Sequence, residues 1–356
     1  MKVIAWWVLL IFTSVQLIAQ TDSSKHFSFT AYAELYYSYD FAKPGNKEKP
    51  AFVYNYKRHN EPNINLVFAR GSFQKKSVKA TLALMAGNYA NYNLSAEPDW
   101  ARPLLEANAG FKLSAKEELW VEAGILPSHI GFESAVGADC WNLTRSLLAE
   151  NSPYYETGIK LSYTSKDNHI KTAVLVLNGW QHIQRPAASN KPCYGLQFTY
   201  QPQEKLTLNY SNFIGKEQPD SSNAVRVFHN LYAIYEPSKK LGITVGLDIG
   251  RDKYTAAHYG NWFSPVLIAR YKINSNSALA ARLEYYSDKK QVIIKTTSTN
   301  GFSTWGSSIN YDYRFFKKGM LRAELKYYTS KDMVFTKNGT PANNNLSFTT
   351  AISVKL

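Results

Sequence analysis

Sixteen stretches of this chain alternate apolar and polar residues with a period of two, and no other feature narrows its possible folds as far. A β-strand sends successive side chains to opposite faces, so each stretch reads as a strand with one greasy and one wet side. The stretches run over 27–40, 61–74, 78–91, 103–114, 117–127, 153–164, 169–180, 192–201, 205–214, 223–236, 240–252, 260–272, 277–288, 301–315, 320–330 and 344–356. Each is long enough for the roughly 9 to 11 residues of a tilted strand that crosses a bilayer. The connections alternate in length as well. Short turns at 75–77, 115–116, 165–168, 202–204, 273–276 and 316–319 take turns with loops at 41–60, 92–102, 128–152, 181–191, 289–300 and 331–343. Tight turns at one end and loops at the other predict an all-β fold: a transmembrane antiparallel up-and-down β-barrel of about 16 strands, turns in the periplasm and loops outside. An even strand count places both termini at the turn end.

Energetics set the faces. Leu321, Ala323, Leu325 and Tyr327 form one row, and Arg322, Glu324, Lys326 and Tyr328 the other. An Arg or Lys exposed to lipid at the midplane costs about 2 to 4 kcal/mol, so the charged row faces inward. The same phase turns Leu279, Ala281, Leu283 and Tyr285 outward with Arg282 and Glu284 inward, and turns Leu241, Ile243, Val245, Leu247 and Ile249 outward with Thr244 and Asp248 inward. The last stretch puts Leu346, Phe348, Thr350, Ile352, Val354 and Leu356 on lipid, which suits a C-terminal signal for the barrel-assembly machinery. Two stretches resist a clean phase. In 61–74 an outward row of Ile64, Leu66 and Phe68 runs into Arg70, and in 169–180 both faces are apolar.

The inward set holds Lys79, Lys112, Lys160, Arg226, Arg270, Lys272, Arg282, Arg314, Arg322 and Lys326 against Glu106, Glu122, Glu156, Asp248, Glu284, Asp312 and Glu324. So many charges point to a water-filled lumen, for which about 16 strands give room. The alternative is pairing across neighbouring strands. The small basic excess supports a weak preference for anions among small hydrophilic solutes.

The N-terminus reads as an export signal over residues 1–20: Lys2, an apolar run from Val3 to Ile18, then Ala19 and Gln20. The run is too short for the roughly 20 residues of a membrane-spanning helix. Residues 21–356 then form one barrel domain, because the alternation continues without a linker or charge block. Mean hydropathy is negative, as expected of strands that are half polar. Tyr pairs at 36–37, 154–155, 285–286 and 327–328 suit an aromatic girdle at the membrane boundaries, although Tyr favours strands in any case. The formal charge of +14 is scattered and accompanies no nucleic-acid motif. Cys140 and Cys193 both fall toward the outer end of the expected barrel, where an oxidising compartment permits a disulfide and two buried thiols are the alternative.

The loop at 128–152 carries structure of its own. Asp139 is placed to cap a short helix near Trp141 to Ala149, with Leu143, Leu147 and Leu148 as its apolar side. Folded into the lumen, the loop would narrow the bore and present Glu133, Asp139, Arg145 and Glu150 to solutes, with Arg226, Arg270, Arg282, Glu284, Arg314, Arg322 and Glu324 on the wall. Folded outward, it would be a lid or plug. No metal or cofactor is expected: seven histidines are scattered, with no HExxH and no Cys/His ligand spacing, and GxSxG and Walker A sequences are missing. Ser152, His229 and Asn230 could be named as parts of a barrel hydrolase, a set that any chain of this size offers, and a non-conducting receptor or adhesin is a third class.

One region carries a family resemblance. EANAGFKLS from Glu106, LWVEAGILPSHIGFESAVGADCWNLTRSLLAENSPYYETGIKLSYTSKD from Leu119 and LVLNGWQHIQRP ending at Pro186 resemble the OmpL-like β-barrel porin family of Bacteroidetes outer membranes. RHNEPNINL at Arg58 to Leu66 and LALMAGNYA at Leu82 to Ala90 extend the likeness toward the N-terminus. The resemblance implies an outer-membrane porin and implies neither a substrate nor site residues; the partners expected of such a barrel are outer-membrane lipids and, as an open alternative to the monomer, further copies of itself in a homo-oligomer.

Overall fold

A computed structural model describes residues 26–186, 189–217, 224–253, 258–316 and 318–356; the expected export signal at 1–20 lies outside the described residues. The strands are β1 (Phe27–Asp40), β2 (Pro62–Lys75), β3 (Val78–Ala86), β4 (Leu104–Lys112), β5 (Glu118–Pro127), β6 (Tyr155–Thr164), β7 (Ile170–Leu177), β8 (Cys193–Gln203) and β9 (Leu206–Gly215). They continue as β10 (Arg226–Tyr235), β11 (Leu241–Lys253), β12 (Tyr259–Lys272), β13 (Ser277–Asp288), β14 (Phe302–Phe315) and β15 (Gly319–Ser330). A small hairpin, β16 (Phe335–Lys337) and β17 (Thr340–Ala342), decorates the last loop before β18 (Asn344–Lys355).

Sixteen of these strands, all but the hairpin, form a closed antiparallel barrel in which chain neighbours pair in order. Closure comes from β18, which pairs with β15 on one side and β1 on the other, in a register running from Tyr32↔Lys355 to Asp40↔Ser347. No strand edge remains, as lipid requires of any sheet that crosses it. The outward rows behave as their apolarity dictates: Leu279 and Leu283, Leu321 and Leu325, Val245 and Ile249, Phe348 and Ile352 are all exposed on the outer wall.

Two departures from simple alternation have local causes. A bulge in β2 makes Glu34 face Leu66 while Leu35 faces Ile64, leaving Asn65 as an extra residue. One extra residue reverses the phase of everything beyond it. Ile64 therefore faces out, whereas Leu66 and Phe68 are buried inside with Arg70. The outward row expected for Ile64, Leu66 and Phe68 is thus corrected, and Arg70 joins the lumen. The second departure is β3, which ends at Ala86; helix α1 (Asn88–Asn93) takes the place of the expected strand end.

The tyrosine pairs straddle the wall. Tyr36, Tyr286 and Tyr328 are buried inside while Tyr327 is exposed outside, so a pair supplies one girdle residue and one core residue. Tyr154 and Tyr155 both belong to an inner cluster with Leu66, Phe68 and Leu105. In the same way the two apolar faces of β7 are both used: Val174 and Val176 meet lipid, and Ala173, Leu175 and Leu177 pack with Phe213, Phe228 and Trp262 inside the barrel.

Candidate functional site

The third long loop, L3, joins β5 to β6 over residues 128–154 and folds into the barrel. Small residues on the wall make room for it. A Cβ on Gly242 would lie 2.6 Å from the Trp141 ring, and one on Gly246 would lie 2.6 Å from the Phe132 ring. Glycine inside a strand commonly marks such a close approach. On the opposite wall Gly137 of L3 meets Glu34 of β1, and the Tyr32 hydroxyl of β1 accepts a hydrogen bond from Ala138 N at 3.2 Å.

Polar contacts then hang L3 across the lumen. His129 holds the Glu156 carboxylate of β6 at 2.7 Å through Nδ1 and the Asn212 carbonyl of β9 at 2.7 Å through Nε2. Arg282 of β13 donates to the Thr144 carbonyl at 2.7 Å and to Glu324 of β15 at 2.9 Å. Thr144 N donates to Glu324, and Leu147 N to Glu284, each at 2.5 Å. Lys326 reaches the Arg145 carbonyl at 2.7 Å and Glu284 at 3.2 Å. Arg322 donates to the Gly137 carbonyl at 2.6 Å, to the Cys140 carbonyl at 3.0 Å and to Asp312 at 2.7 Å. Each such bond to a charged group contributes about 1.5 to 3 kcal/mol when buried. Arg282, Glu284, Asp312, Arg322, Glu324 and Lys326 are therefore buried and paired, the alternative to a wetted wall, while Arg314 stays exposed. Their partners are partly one another, as in the cross-strand pair Asp312 and Arg322, and partly the backbone of a loop, which strand alternation does not foresee.

The expected constriction residues separate into two kinds. Arg145 is fully buried and stitches L3 to itself through the carbonyls of Ser134, Leu143 and Ala135. Glu150 is buried and accepts backbone hydrogen bonds from Tyr54 at 2.8 Å and Asn55 at 3.2 Å, tying the first long loop to L3. Glu133 accepts from Ser146 N at 3.0 Å and lies 3.7 Å from Arg282. Asp139 alone of the four has a side chain substantially exposed, at 44%, and it pairs with Lys355 of β18 at 2.7 Å. It caps no long helix: the helical parts of L3 are a single 3-10 turn at Gly137–Asp139 and α2 (Leu147–Glu150), capped by Ser146.

On the wall, Arg226 pairs with Asp252 at 2.9 Å between the rings of Trp180 and Trp262. Arg270 stacks against Trp141 and shares a cavity of about 220 Å³ with Lys272, Asp312 and Arg314. A neighbouring cavity of about 210 Å³ is lined by Asp139, Arg314, Lys318 and Lys355. A third, of about 420 Å³, lies between L3 and the strands β2, β4 and β10, lined by Arg70, Glu106, Glu133, Asp139 and Tyr232.

The two cysteines are free and buried. Because L3 dips inward, Cys140 sits beside Arg322 deep in the barrel, with its thiol on the Ser134 carbonyl, whereas Cys193 stays at the loop end of β8 near the Lys216 carbonyl. The expected placement of both at the outer end is corrected for Cys140. The hydrolase parts do not converge either: His229 points outward to the Tyr210 hydroxyl at 2.8 Å, while Asn230 points inward to Asp248 at 2.6 Å.

Comparison with known proteins agrees with this architecture. No curated protein matches the chain by sequence. Among solved structures, the chain is similar to the anion-selective porin from Comamonas acidovorans, with a TM-score of 0.60 and 12% identity over 93% of this chain and 99% of that one. It is also similar to the trimer form of OmpT, an outer membrane protein of Vibrio cholerae, with a TM-score of 0.56 and 10% identity over 93% and 99% of the two chains. A triple mutant of the Rh. blastica porin matches with a TM-score of 0.55 and 12% identity over 93% of this chain and 100% of that one. At such identities these likenesses establish the fold. The family model "Putative beta-barrel porin-2, OmpL-like" matches residues 26–356, so the chain belongs to that family and is a porin of the outer membrane.

Proposed function

We propose that the protein is a passive, non-enzymatic channel for small hydrophilic solutes whose bore is set by L3. The supporting observation is the set of buried charges on β13 to β15, Arg282, Glu284, Arg322, Glu324 and Lys326, which hold the loop by its backbone. An apolar plug would dock on an apolar wall. A wall of paired ions instead becomes a wettable bore wherever the loop withdraws, and a barrel of this size has the width for it. In single-channel recordings, deleting Gly137 to Glu150 is expected to raise conductance markedly. Unchanged conductance would assign L3 to packing alone.

The three cavities favour anions weakly. Arg70, Arg270, Lys272, Arg314, Lys318 and Lys355 line them, against Glu106, Glu133, Asp139 and Asp312. Asp312 and Asp139 are held by Arg322 and Lys355. Reversal potentials in a salt gradient should show modest anion selectivity, reduced in an Arg270→Gln, Arg314→Gln variant; cation selectivity of the unaltered protein rules the preference out.

The reading includes export by a signal over 1–20, with residues 21–356 as the mature barrel, inserted by the barrel-assembly machinery into outer-membrane lipid. N-terminal sequencing of the mature protein locates the cut. Self-association into homo-oligomers is compatible with the outer wall, and crosslinking in native membranes tests it.

A further inference from the structure

The outer wall over β13 and β14 carries a recess separate from the lumen. Tyr285 and Trp305 project to the lipid side as a cross-strand pair with ring centroids 4.8 Å apart, and Phe263 stands 5.6 Å from Tyr285. Just beyond them toward the loop end, Lys289, Lys290, Lys331, Thr299, Asn300 and Ser303 wall a hollow of about 560 Å³, with the two rings as its floor. That volume falls within the range of about 300 to 1,000 Å³ typical of small-molecule sites. The single carboxylate among its lining residues, Asp332, already accepts from Ser298 Oγ at 3.0 Å and Asn300 Nδ2 at 3.2 Å. Lys289 and Lys331 thus face one carboxylate that other donors occupy, a surplus of positive charge at the level of the outer head groups.

The wall below the rings continues the site. Ser307 follows Trp305 on the lipid face, between Leu283 of β13 and Tyr327 of β15, with Ile309 next in line. Ser307 is thus a small side chain between two bulky ones on the apolar wall next to the recess, space that an acyl chain can follow. The site offers cations, hydroxyl and amide groups above an aromatic floor, with the apolar wall around Ser307 below it. Aromatic rings at this depth present one apolar and one wet side, and basic residues beside a membrane surface recruit anionic head groups at about 1 kcal/mol each.

We propose that this recess binds the phosphorylated head group of an acylated saccharolipid of the outer leaflet. The phosphate lies between Lys289 and Lys331, the sugar rests against Trp305 and Tyr285 within reach of Thr299 and Asn300, and an acyl chain follows Ser307. A glycerophospholipid would satisfy the lysines but has no sugar ring to lie against Trp305 and Tyr285.

The test is native mass spectrometry of the full barrel in detergent, titrated with a phosphorylated acyl-glucosamine disaccharide, its dephosphorylated form and phosphatidylglycerol. The phosphorylated saccharolipid is expected to bind preferentially. A Lys289→Gln, Lys331→Gln variant should weaken it roughly tenfold or more, and a control Lys191→Gln variant should not. Ser307→Phe fills that space on the wall without altering charge and should also weaken binding; heat-modifiable gel mobility verifies that each variant is folded. Equal binding of the dephosphorylated lipid or of phosphatidylglycerol, or undiminished binding by either folded variant, overturns the proposal.

Discussion

At the scale of single residues, the junction between L3 and the wall turns on Gly137. Its missing side chain leaves room for the Glu34 carboxylate and the Tyr56 hydroxyl, which would lie 2.3 Å and 2.6 Å from a Cβ. Neither neighbour is free to retreat. Glu34 is buried and accepts hydrogen bonds from Tyr32 at 2.8 Å, Tyr56 at 2.9 Å and Asn65 at 3.0 Å. The Gly137→Ala variant should therefore push L3 off β1, lower stability by about 1 to 3 kcal/mol as overpacking does, and raise single-channel conductance. Gly45→Ala, where a Cβ meets nothing within 4 Å, is the matched control in denaturant titrations and recordings. A Gly137→Ala protein with the conductance of the unaltered channel would separate the junction from the bore.

At the scale of elements, the outer loops are fastened to one another through His182. Its Nδ1 lies 3.8 Å from Glu97 in the loop after β3, and its Nε2 lies 3.3 Å from Glu217 in the connection after β9. Burial alone would lower the pKa of this imidazole, but the hydrogen bonds to Glu217 and Glu97 outweigh it and hold the pKa at about 9. Because the folded value is raised above the ordinary one, the clamp is fully present below about pH 6.5 and is lost as pH rises through about 9. Limited proteolysis of the outer loops should accelerate as pH rises from about 6.5 to about 9 and level off above, and His182→Gln should be cleaved rapidly throughout; equal cleavage at about pH 6 and about pH 9 would remove His182 from that role. The strands themselves were legible in the sequence because lipid penalises any error of phase, so rows such as Leu321, Leu325 and Tyr327 could face only one way. Two kinds of information escaped. The bulge at Asn65 adds a residue without interrupting the apolar run, so Leu66 and Phe68 looked like lipid contacts when they are core. The destination of L3 depends on partners more than a hundred residues away, such as Arg282 and Arg322, which alternation reports only as inward. The inward glycines Gly242 and Gly246 were the signal available in the sequence for an aromatic loop pressed against β11.

For the molecule as a whole, β18 decides whether the chain has a membrane form. It supplies hydrogen bonds to β15 from Gly319 to Thr329 and to β1 from Tyr32 to Asp40. Without it the remaining strands number fifteen, so β1 and β15 run in the same direction and cannot close an antiparallel wall. Two open edges would then sit in hydrocarbon, where each unpaired backbone group costs several kcal/mol. The same strand presents Phe348, Ile352 and Val354 to lipid and Asn345, Thr349 and Ser353 to the interior, so its loss removes a lipid row and an inner row together. The chain truncated before Leu346 is expected to be absent from the membrane fraction and to lack the compact, heat-modifiable band of a folded barrel. A Thr349→Ser chain, which keeps the backbone pairing and the outward row, should insert normally. Insertion of the truncated chain with a compact band would mean that β1 and β15 find another closure, and the strand order on which the bore and the L3 junction depend would have to be redrawn.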